Sequence, residues 1–226
     1  MSAGSATLRE QVAAAARRLA DAGLLVGTAG NVSARAGDRV AVTATGVVLG
    51  SCDPSDVTVV SLAGEVLEGA LAPTSEIELH LGLYAAGTEG GTTAVVHTHA
   101  PYSTAVACVL TELPVIHYQQ LSLGGAVRVA PYSTFGTPEL AADVRTALEG
   151  RQAALMANHG SVAVGSSLDQ AVEHALLLEW LATLHHRASA LGIPRALTDD
   201  EQLAVITAAI ERSYGTTRPA HPGEQP

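Results

Sequence analysis

The chain has 226 residues, 47% of them hydrophobic and 15% charged, so it can bury a substantial core in one large α/β domain. Its formal charge is −10 and it has no Lys/Arg-rich block, which disfavours binding to nucleic acids and to anionic membranes. The two cysteines, Cys52 and Cys108, predict no structural disulfide and a reducing, cytoplasmic compartment, and no segment reaches the ~18 apolar residues of a membrane span.

The first half of the chain alternates helices, loops and short strands. An amphipathic pattern predicts a helix over residues 7–22, which Gly23 ends, and a Gly-rich loop follows over 26–35. Pro73-Thr-Ser-Glu76 opens a second predicted helix that runs to about Ala86. Runs of β-branched and apolar residues predict strands over 39–43, 57–62 and 93–97.

The second half continues this mixture. Ser167 is expected to begin a long helix over 168–191. The other predicted helices cover 101–110, 138–149 and 198–214, and the predicted strands cover 127–130, 153–157 and 161–164. Strand–helix–strand repeats are not sustained, so three layers around a mostly antiparallel sheet fit as well as a parallel doubly wound sheet. We expect one domain over residues 1–215 and a flexible tail over 216–226.

Three histidines at the ends of predicted strands are candidate metal ligands. His97 and His99 lie two residues apart, so both rings can face the same side, and His159 ends a second apolar strand. Three neutral imidazoles around zinc leave one position open for substrate, as in catalytic zinc sites. Spacing alone leaves structural histidines as an alternative, because it does not prove that the two strands are neighbours.

Glu76 is a candidate general base. A carboxylate in the first turn of a helix is favoured by the helix dipole, so an ordinary first-turn acid is the simpler interpretation. The functional alternative is a base that acts on a carbon of a metal-bound substrate. His80, four residues later on the same helix face, is expected only to orient this carboxylate.

Small polar residues in three loops are candidate phosphate ligands. Backbone N–H groups, hydroxyls and glycines can hold a phosphate without any basic side chain. Ordinary turn chemistry is the alternative interpretation for each loop taken alone. The candidates are Thr28, Asn31, Thr45, Gly46, Thr74 and Ser75.

Together these motifs resemble the class II aldolase/adducin family, and within it most closely the L-fuculose-1-phosphate aldolase group. They follow the family's order and span roughly residues 8–214. The matching segments are Gly27-Thr-Ala-Gly-Asn-Val-Ser33, Thr45-Gly46, Pro73-Thr-Ser-Glu76 with His80 and Tyr84, His97-Thr-His99-Ala-Pro101, Pro114-Val-Ile-His-Tyr118 and Asn158-His-Gly160.

The resemblance implies a three-layer α/β/α sandwich with a mostly antiparallel sheet, and a homotetramer with active sites between subunits. It implies Zn²⁺ or another divalent metal on His97, His99 and His159, and Glu76 as acid/base. It also implies that the six loop residues hold the substrate phosphate, and that Tyr118 and Tyr214 help to protonate the aldehyde oxygen. The implied reaction is cleavage of a ketose 1-phosphate, such as L-fuculose 1-phosphate or a 5-deoxypentulose 1-phosphate, to dihydroxyacetone phosphate and an aldehyde through an enediolate.

Other activities occur on this scaffold. A 4-epimerase is disfavoured because its pattern has aspartate in place of Glu76 and a lysine near Thr43–Gly46, whereas all twelve cationic residues here are arginines. The lack of lysine also disfavours a Schiff-base aldolase. Sugar-phosphate dehydratases and decarboxylases share the three histidines, so these activities remain alternatives for this chain. A non-catalytic, adducin-like module is disfavoured because all three histidines and Glu76 are present.

Overall fold

The computed structural model describes residues 3–86 and 91–212, and within them nine strands form one mixed sheet. The order across the sheet is β4-β3-β2-β1-β5-β9-β8-β7-β6, and every pair is antiparallel except β7 with β8. The strands are β1 (Asn31–Ala36), β2 (Arg39–Thr43), β3 (Val57–Ser61), β4 (Val66–Glu68), β5 (Ala94–Thr98), β6 (Glu112–Leu113), β7 (Val127–Ala130), β8 (Ala153–Met156) and β9 (Gly160–Gly165).

Residues 3–86 and 91–212 also form six α-helices and three short 3-10 helices. Ser167 caps the longest helix, as expected, by accepting a hydrogen bond from the Gln170 N–H, and Thr137 caps another in the same way through Leu140. The α-helices are α1 (Ala3–Asp21), α2 (Ile77–Ala86), α3 (Pro101–Ala107), α4 (Pro138–Ala147), α5 (Leu168–Ser189) and α6 (Asp199–Arg212). The 3-10 helices are Leu49–Ser51, Pro54–Asp56 and Tyr118–Leu123.

The strands contribute alternate residues to two hydrophobic clusters, as the two-residue period of a strand requires. In β5, Ala94 and Val96 join a cluster with residues of α1, α3 and α5, whereas Val95 joins a second cluster with residues of α2 and α4. All five residues of β5 are buried. This fits an apolar strand at the centre of a sheet, with β1 on one side and β9 on the other.

The pairing of β1 with β5 determines which residues meet near the site. Asn31 is the direct cross-strand partner of His97, and Ser33 pairs with Val95. Two residues directly opposite each other on antiparallel strands present their side chains on the same face. Asn31 and His97 therefore lie on one face of the sheet, at the same end of the two strands.

Several predicted elements differ from the structure at their ends, and two of these differences bear on the site. The segment over 26–35 was expected to be a loop, but β1 begins at Asn31, because pairing with β2 and β5 outweighs the weak strand propensity of Asn-Val-Ser-Ala-Arg. The second helix begins at Ile77, so Glu76 immediately precedes it and does not lie in its first turn. Tyr214 and the tail over 216–226 lie outside the described residues.

None of the helices in residues 3–86 and 91–212 combines the length and the apolar character that crossing a bilayer requires.

Candidate metal centre and active site

His97 and His99 present their rings to each other at the carboxyl end of β5. His97 is fully buried, and its Nδ1 donates to the Ser161 carbonyl on the neighbouring strand at 3.0 Å. That bond leaves Nε2 without a proton in the neutral ring, since a carbonyl oxygen can only accept. The free Nε2 of His97 lies 2.9 Å from Nε2 of His99.

His159 completes the group from the turn between β8 and β9. The residue before it, Asn158, has a left-handed φ of 54°, which Asn tolerates better than most residues. The ring centroids of His97, His99 and His159 form a nearly equilateral triangle with sides of 4.7, 4.9 and 4.9 Å. The histidines that the sequence predicted as one group therefore do lie together in the fold.

Two glycines permit the close approach of the backbone around this group. A Cβ at Gly160 would lie 2.2 Å from the Thr98 carbonyl oxygen. Because this oxygen belongs to the backbone, moving a side chain would not remove the clash. A Cβ at Gly30 would lie 2.9 Å from the His97 carbonyl oxygen, and Gly30 also has a φ of 95°. Both positions therefore require glycine if the loops are to pack against β5.

Glu179 on α5 supports the segment that follows His99. Its carboxylate accepts hydrogen bonds from the N–H groups of Tyr102 and Ser103, at 2.9 and 2.8 Å, and from the Ser103 hydroxyl at 2.7 Å. These N–H groups belong to the first turn of α3, where backbone donors lack partners within the helix. Glu179 thus holds α3, and with it the His99–Pro101 segment, against α5.

The chemistry of the donor set fits a divalent metal. One donor atom from each of Glu76, His97, His99 and His159 lies within 4.8 Å of the others. Burial lowers the pKa of His99 to about 4 and also lowers the pKa of His159, so both imidazoles are neutral at pH 7. His97 Nε2 and His99 Nε2 lie 2.9 Å apart, and imidazole nitrogens of this kind bind Zn²⁺ at ~2.0–2.1 Å.

Glu76 faces the three imidazoles and is 6% exposed. Its Oε2 lies 3.1 Å from His97 Nε2 and accepts a hydrogen bond from Asn31 Nδ2 at 2.9 Å. Burial favours the neutral acid, whereas the hydrogen bond that Asn31 donates favours the carboxylate and helps to hold the pKa of the carboxyl below its usual range. Oε1 is buried, 3.5 Å from His159 Nε2, and has no hydrogen-bond partner among the described residues.

An open cavity of about 280 Å³ adjoins this group. All six residues that were predicted to bind phosphate line it. They come from the loop before β1 and the first residue of β1, from the segment after β2 and from the segment before α2. The predicted ligands thus face one space with Glu76, His99 and His159. The remaining lining residues were not predicted as ligands, although Ala29, Gly30 and Asn158 belong to the recognised motifs. They are Ala29, Gly30, Ala44, Tyr132, Ser133, Phe135 and Asn158.

Some of these residues already have partners inside the protein. Asn31 uses its side-chain amide on Glu76 and His80, and the Thr74 hydroxyl accepts the Glu76 N–H at 3.2 Å. Ser75, in contrast, is exposed to the cavity. The Asn31 side chain therefore has a structural partner at each end, which the sequence did not indicate.

The two predicted tyrosines differ from the rest. Tyr118 begins a 3-10 helix, is 40% exposed and stacks near His117, and it is not among the residues that line the cavity. Tyr214 lies outside the described residues. The role predicted for each tyrosine stays a prediction.

Residues 10–186 match the family model described as the class II aldolase and adducin N-terminal domain. The chain belongs to this family. The match covers the three histidines, Glu76 and all the loops of the cavity, so the resemblance inferred from the motifs is confirmed.

Similar proteins within the class II aldolase and adducin family are named as sugar-phosphate aldolases. A 5-methylthioribulose-1-phosphate/5-deoxyribulose-1-phosphate aldolase of Rhodospirillum rubrum is 39% identical, over 88% of this chain and 89% of its own length. A 5-deoxy-D-ribulose 1-phosphate aldolase of Bacillus thuringiensis is 36% identical, over 85% and 91%. A solved L-fuculose 1-phosphate aldolase superposes with a TM-score of 0.84 at 32% identity, over 92% of this chain and 97% of its own.

Proposed function

We propose that this protein is a divalent-metal-dependent aldolase that cleaves a ketose 1-phosphate to dihydroxyacetone phosphate and an aldehyde. The observation that carries the proposal is the convergence of three imidazoles and one carboxylate, within 4.8 Å of one another, beside a cavity lined by hydroxyls and glycine. The names of the relatives support a 5-deoxypentulose 1-phosphate or L-fuculose 1-phosphate as substrate.

In this proposal His97, His99 and His159 hold the metal. Zn²⁺ is the first candidate, because catalytic zinc sites commonly have three protein ligands, histidine among them, and a fourth coordination position that is open to substrate. When bound, the metal supplies Lewis-acid stabilisation of the negative charge that develops on the ketose oxygens. The His97–Ser161 hydrogen bond, at 3.0 Å, keeps the His97 ring in the orientation and tautomer that a ligand needs.

Glu76 is proposed to transfer a proton to C3, the carbon that is bonded to the future aldehyde carbon before cleavage. In cleavage the Glu76 carboxylate takes the proton of the C4 hydroxyl, the C3–C4 bond breaks to leave a carbonyl at C4, and the electron pair of that bond remains on C3 of the triose phosphate fragment. Glu76 then delivers a proton to that carbon, and Tyr118 and Tyr214 are the proposed partners of the aldehyde oxygen. In the condensation direction the same carboxylate removes the proton.

The phosphate is proposed to lie in the cavity between the three loops, against Thr28, Asn31, Thr45, Gly46, Thr74 and Ser75. The chain has a net charge of −10 and no lysine, so the proposed donors to the phosphate are hydroxyls and backbone N–H groups. For Asn31 the proposal relies on the second proton of the side-chain amide, because the amide also bonds to Glu76 and His80. For Thr74 it relies on the hydroxyl proton, because the hydroxyl oxygen only accepts from the Glu76 N–H while the Thr74 N–H donates to the Thr43 carbonyl.

The finer architecture belongs to the same proposal. The two hydrophobic clusters, one with α1, α3 and α5 and one with α2 and α4, support a three-layer α/β/α sandwich in a single domain over residues 1–215. The proposal includes a homotetramer with active sites between subunits, in which Tyr118, which does not line the cavity of its own subunit, would serve the cavity of a neighbour. The flexible tail over 216–226 and the cytoplasmic location stay predictions.

The experiment that tests the function is a retro-aldol screen of ketose 1-phosphates that follows release of dihydroxyacetone phosphate. Zinc-loaded protein is compared with chelated protein and with chelated protein to which zinc has been returned. We expect activity that chelation removes and zinc restores. Among the ketose 1-phosphates screened, a 5-deoxypentulose or 6-deoxyhexulose 1-phosphate should be cleaved fastest. Conversion of the ketose without triose phosphate release would indicate an epimerase, dehydratase or decarboxylase and would contradict the proposal.

A further inference from the structure

Three residues of the recognised motifs, Ser33, His80 and Tyr84, have no role in the proposed reaction. All three are buried, with exposures of 0, 0 and 3%, and they lie behind Glu76 on the α2 side of the sheet. Buried polar groups are costly unless they are hydrogen-bonded, so their partners indicate what they do.

The partners form a single chain that ends at Glu76. The Tyr84 hydroxyl lies 2.6 Å from Ser33 Oγ, and Ser33 Oγ lies 2.6 Å from His80 Nδ1. His80 Nε2 is hydrogen-bonded to Asn31 Oδ1, and Asn31 Nδ2 lies 2.9 Å from Glu76 Oε2. The chain thus joins β1, α2 and the residue that precedes α2.

The chemistry of the groups determines the direction of every bond. A carboxylate only accepts, so Asn31 must face Glu76 with its NH₂ group and His80 with its carbonyl oxygen. The carbonyl needs a donor, so His80 carries its proton on Nε2 and leaves Nδ1 bare. Ser33 then donates to Nδ1, and its oxygen accepts from Tyr84.

The protonation states agree with this direction. Burial lowers the pKa of His80 to about 3, so the ring is neutral and has one donor and one acceptor. Burial also raises the pKa of the Tyr84 hydroxyl well above its usual range, so this group keeps its proton and can donate. Each member therefore donates toward the carboxylate.

We propose that Tyr84, Ser33, His80 and Asn31 form a one-directional chain of hydrogen bonds that anchors Glu76 through Oε2 and leaves Oε1 to exchange the proton with substrate. Oε1 is the buried oxygen without a partner among the described residues, whereas Oε2 is held by Asn31. This inference rests on the acid/base role of Glu76 in the proposed function. His80 and Ser33 are positioning residues, because they reach the carboxylate only through Asn31.

The chain cannot itself carry protons to Glu76. An amide does not relay a proton between its oxygen and its nitrogen without leaving its stable form, so Asn31 interrupts any transfer. The expected contribution is orientation, which matters because small misplacements of a catalytic group cost rate. Breaking the chain should therefore lower kcat while leaving KM and metal content unchanged.

The first test compares variants of the zinc-loaded full-length protein. We expect His80→Phe and Ser33→Ala to lower kcat, and the rate of solvent exchange of the dihydroxyacetone phosphate proton, on the order of tenfold or more, with KM changed less than about twofold. His80→Gln should recover most of the rate, since its amide also offers one donor and one acceptor. His174→Phe is the matched control, because His174 is a buried histidine that is bonded only to the Val164 carbonyl among the contacts described.

The second test needs no activity. In ¹⁵N-histidine-labelled protein, the ring nitrogens of His80, assigned by their loss in His80→Gln, should report a proton on Nε2 and none on Nδ1. A proton on Nδ1 would overturn the direction of the chain. Unchanged kcat and proton exchange in folded, zinc-replete His80→Phe and Ser33→Ala would overturn the anchoring role.

The two tests also separate this inference from the proposed function. If no ketose 1-phosphate is cleaved by the wild-type protein, the function fails, while the ¹⁵N measurement still decides the direction of the chain. If the wild-type protein is active and both variants are equally active, only the inference fails.

Discussion

The Nε2 atoms of His97 and His99 lie 2.9 Å apart although the two residues are separated by one threonine. In an extended strand, residues two apart have Cα atoms nearly 7 Å apart, so contact between their ring nitrogens needs the chain to bend. β5 ends at Thr98, and the turn into α3 at Pro101 brings the His99 ring back toward His97. Because the strand ends between these two residues, their ring nitrogens can lie close enough to bind the same metal ion.

Removing one of these donors should remove the metal. We expect His97→Ala to bind less than a tenth of the zinc of the wild-type protein and to lose activity, because two imidazoles make a much weaker site. Metal content after gel filtration, with far-UV circular dichroism for folding, measures this. His186→Ala, an exposed histidine on α5, is the control and should keep both zinc and activity. Full activity of metal-free His97→Ala would refute the ligand assignment.

Glu76→Gln separates metal binding from proton transfer. Glutamine keeps the size of the side chain and can still contact Asn31, but it cannot accept a proton at Oε1. We expect normal zinc content and a fall of roughly 10²–10⁴-fold in solvent exchange of the dihydroxyacetone phosphate proton, the usual contribution of a general acid/base. Proton NMR in D₂O follows the exchange. Exchange at the wild-type rate would count against the base role.

Ser75→Ala tests the phosphate loops, since Ser75 is exposed in the cavity. Loss of one hydroxyl hydrogen bond to a dianion should raise KM for the phosphorylated ketose by about tenfold, because bonds to charged groups contribute roughly 1.5–3 kcal/mol. The dephosphorylated ketose should be affected much less. Ser122→Ala on the Tyr118–Leu123 3-10 helix is the control. An equal loss for both substrates would mean that the phosphate lies elsewhere.

Glu179→Ala should loosen the segment that carries His99. The variant leaves the first N–H groups of α3 without the carboxylate that accepts them, so we expect zinc affinity to fall by about tenfold, as for other groups that support metal ligands. Competition with a chromogenic chelator measures the affinity. Glu173→Ala, an exposed glutamate on the same helix, should bind zinc as the wild-type protein does. Indistinguishable affinities for the two variants would remove Glu179 from the support of the site.

His80 should make stability depend on pH in acid. Its pKa in the folded protein is about 3, whereas in the unfolded chain it is near the ordinary ~6.5, so unfolding between these values takes up a proton. The free energy of unfolding should therefore fall as pH falls through this window, by up to ~1.4 kcal/mol per pH unit from this group. Urea unfolding of chelated protein should show a shallower dependence for His80→Gln. An unchanged slope would contradict the buried, neutral state of the ring.

The cluster of three histidines was predictable because its signal is local and periodic. His97 and His99 end an apolar strand, and Asn158-His-Gly160 ends another; the strands are β5 and β8, and β9 lies between them. Sequence could not supply this neighbour relation, which depends on the pairing of both strands with β9. Spacing alone had left structural histidines as an alternative to a metal site, and the order of the family's motifs along the chain favoured the metal site.

Other features depended on contacts that no local pattern contains. The spacing of Glu76 and His80 predicted a direct contact on one helix face, but α2 begins after Glu76, and Asn31 from a different strand lies between the two. The short strands β4 and β6 were missed because two or three residues carry no period. Tyr132 and Phe135 reach the cavity through the segment between β7 and α4, which has no regular structure.

Asn31 and His97 lie directly opposite each other across β1 and β5, so the proposed metal site depends on the native register of these two strands. A slip of one residue between these strands would turn either the amide that holds Glu76 or the imidazole proposed to bind metal to the opposite face of the sheet. Stoichiometric zinc in a purified sample would then report that the two central strands have found their native alignment. A preparation that is folded by bulk spectroscopy but poor in zinc would point first to mispaired strands.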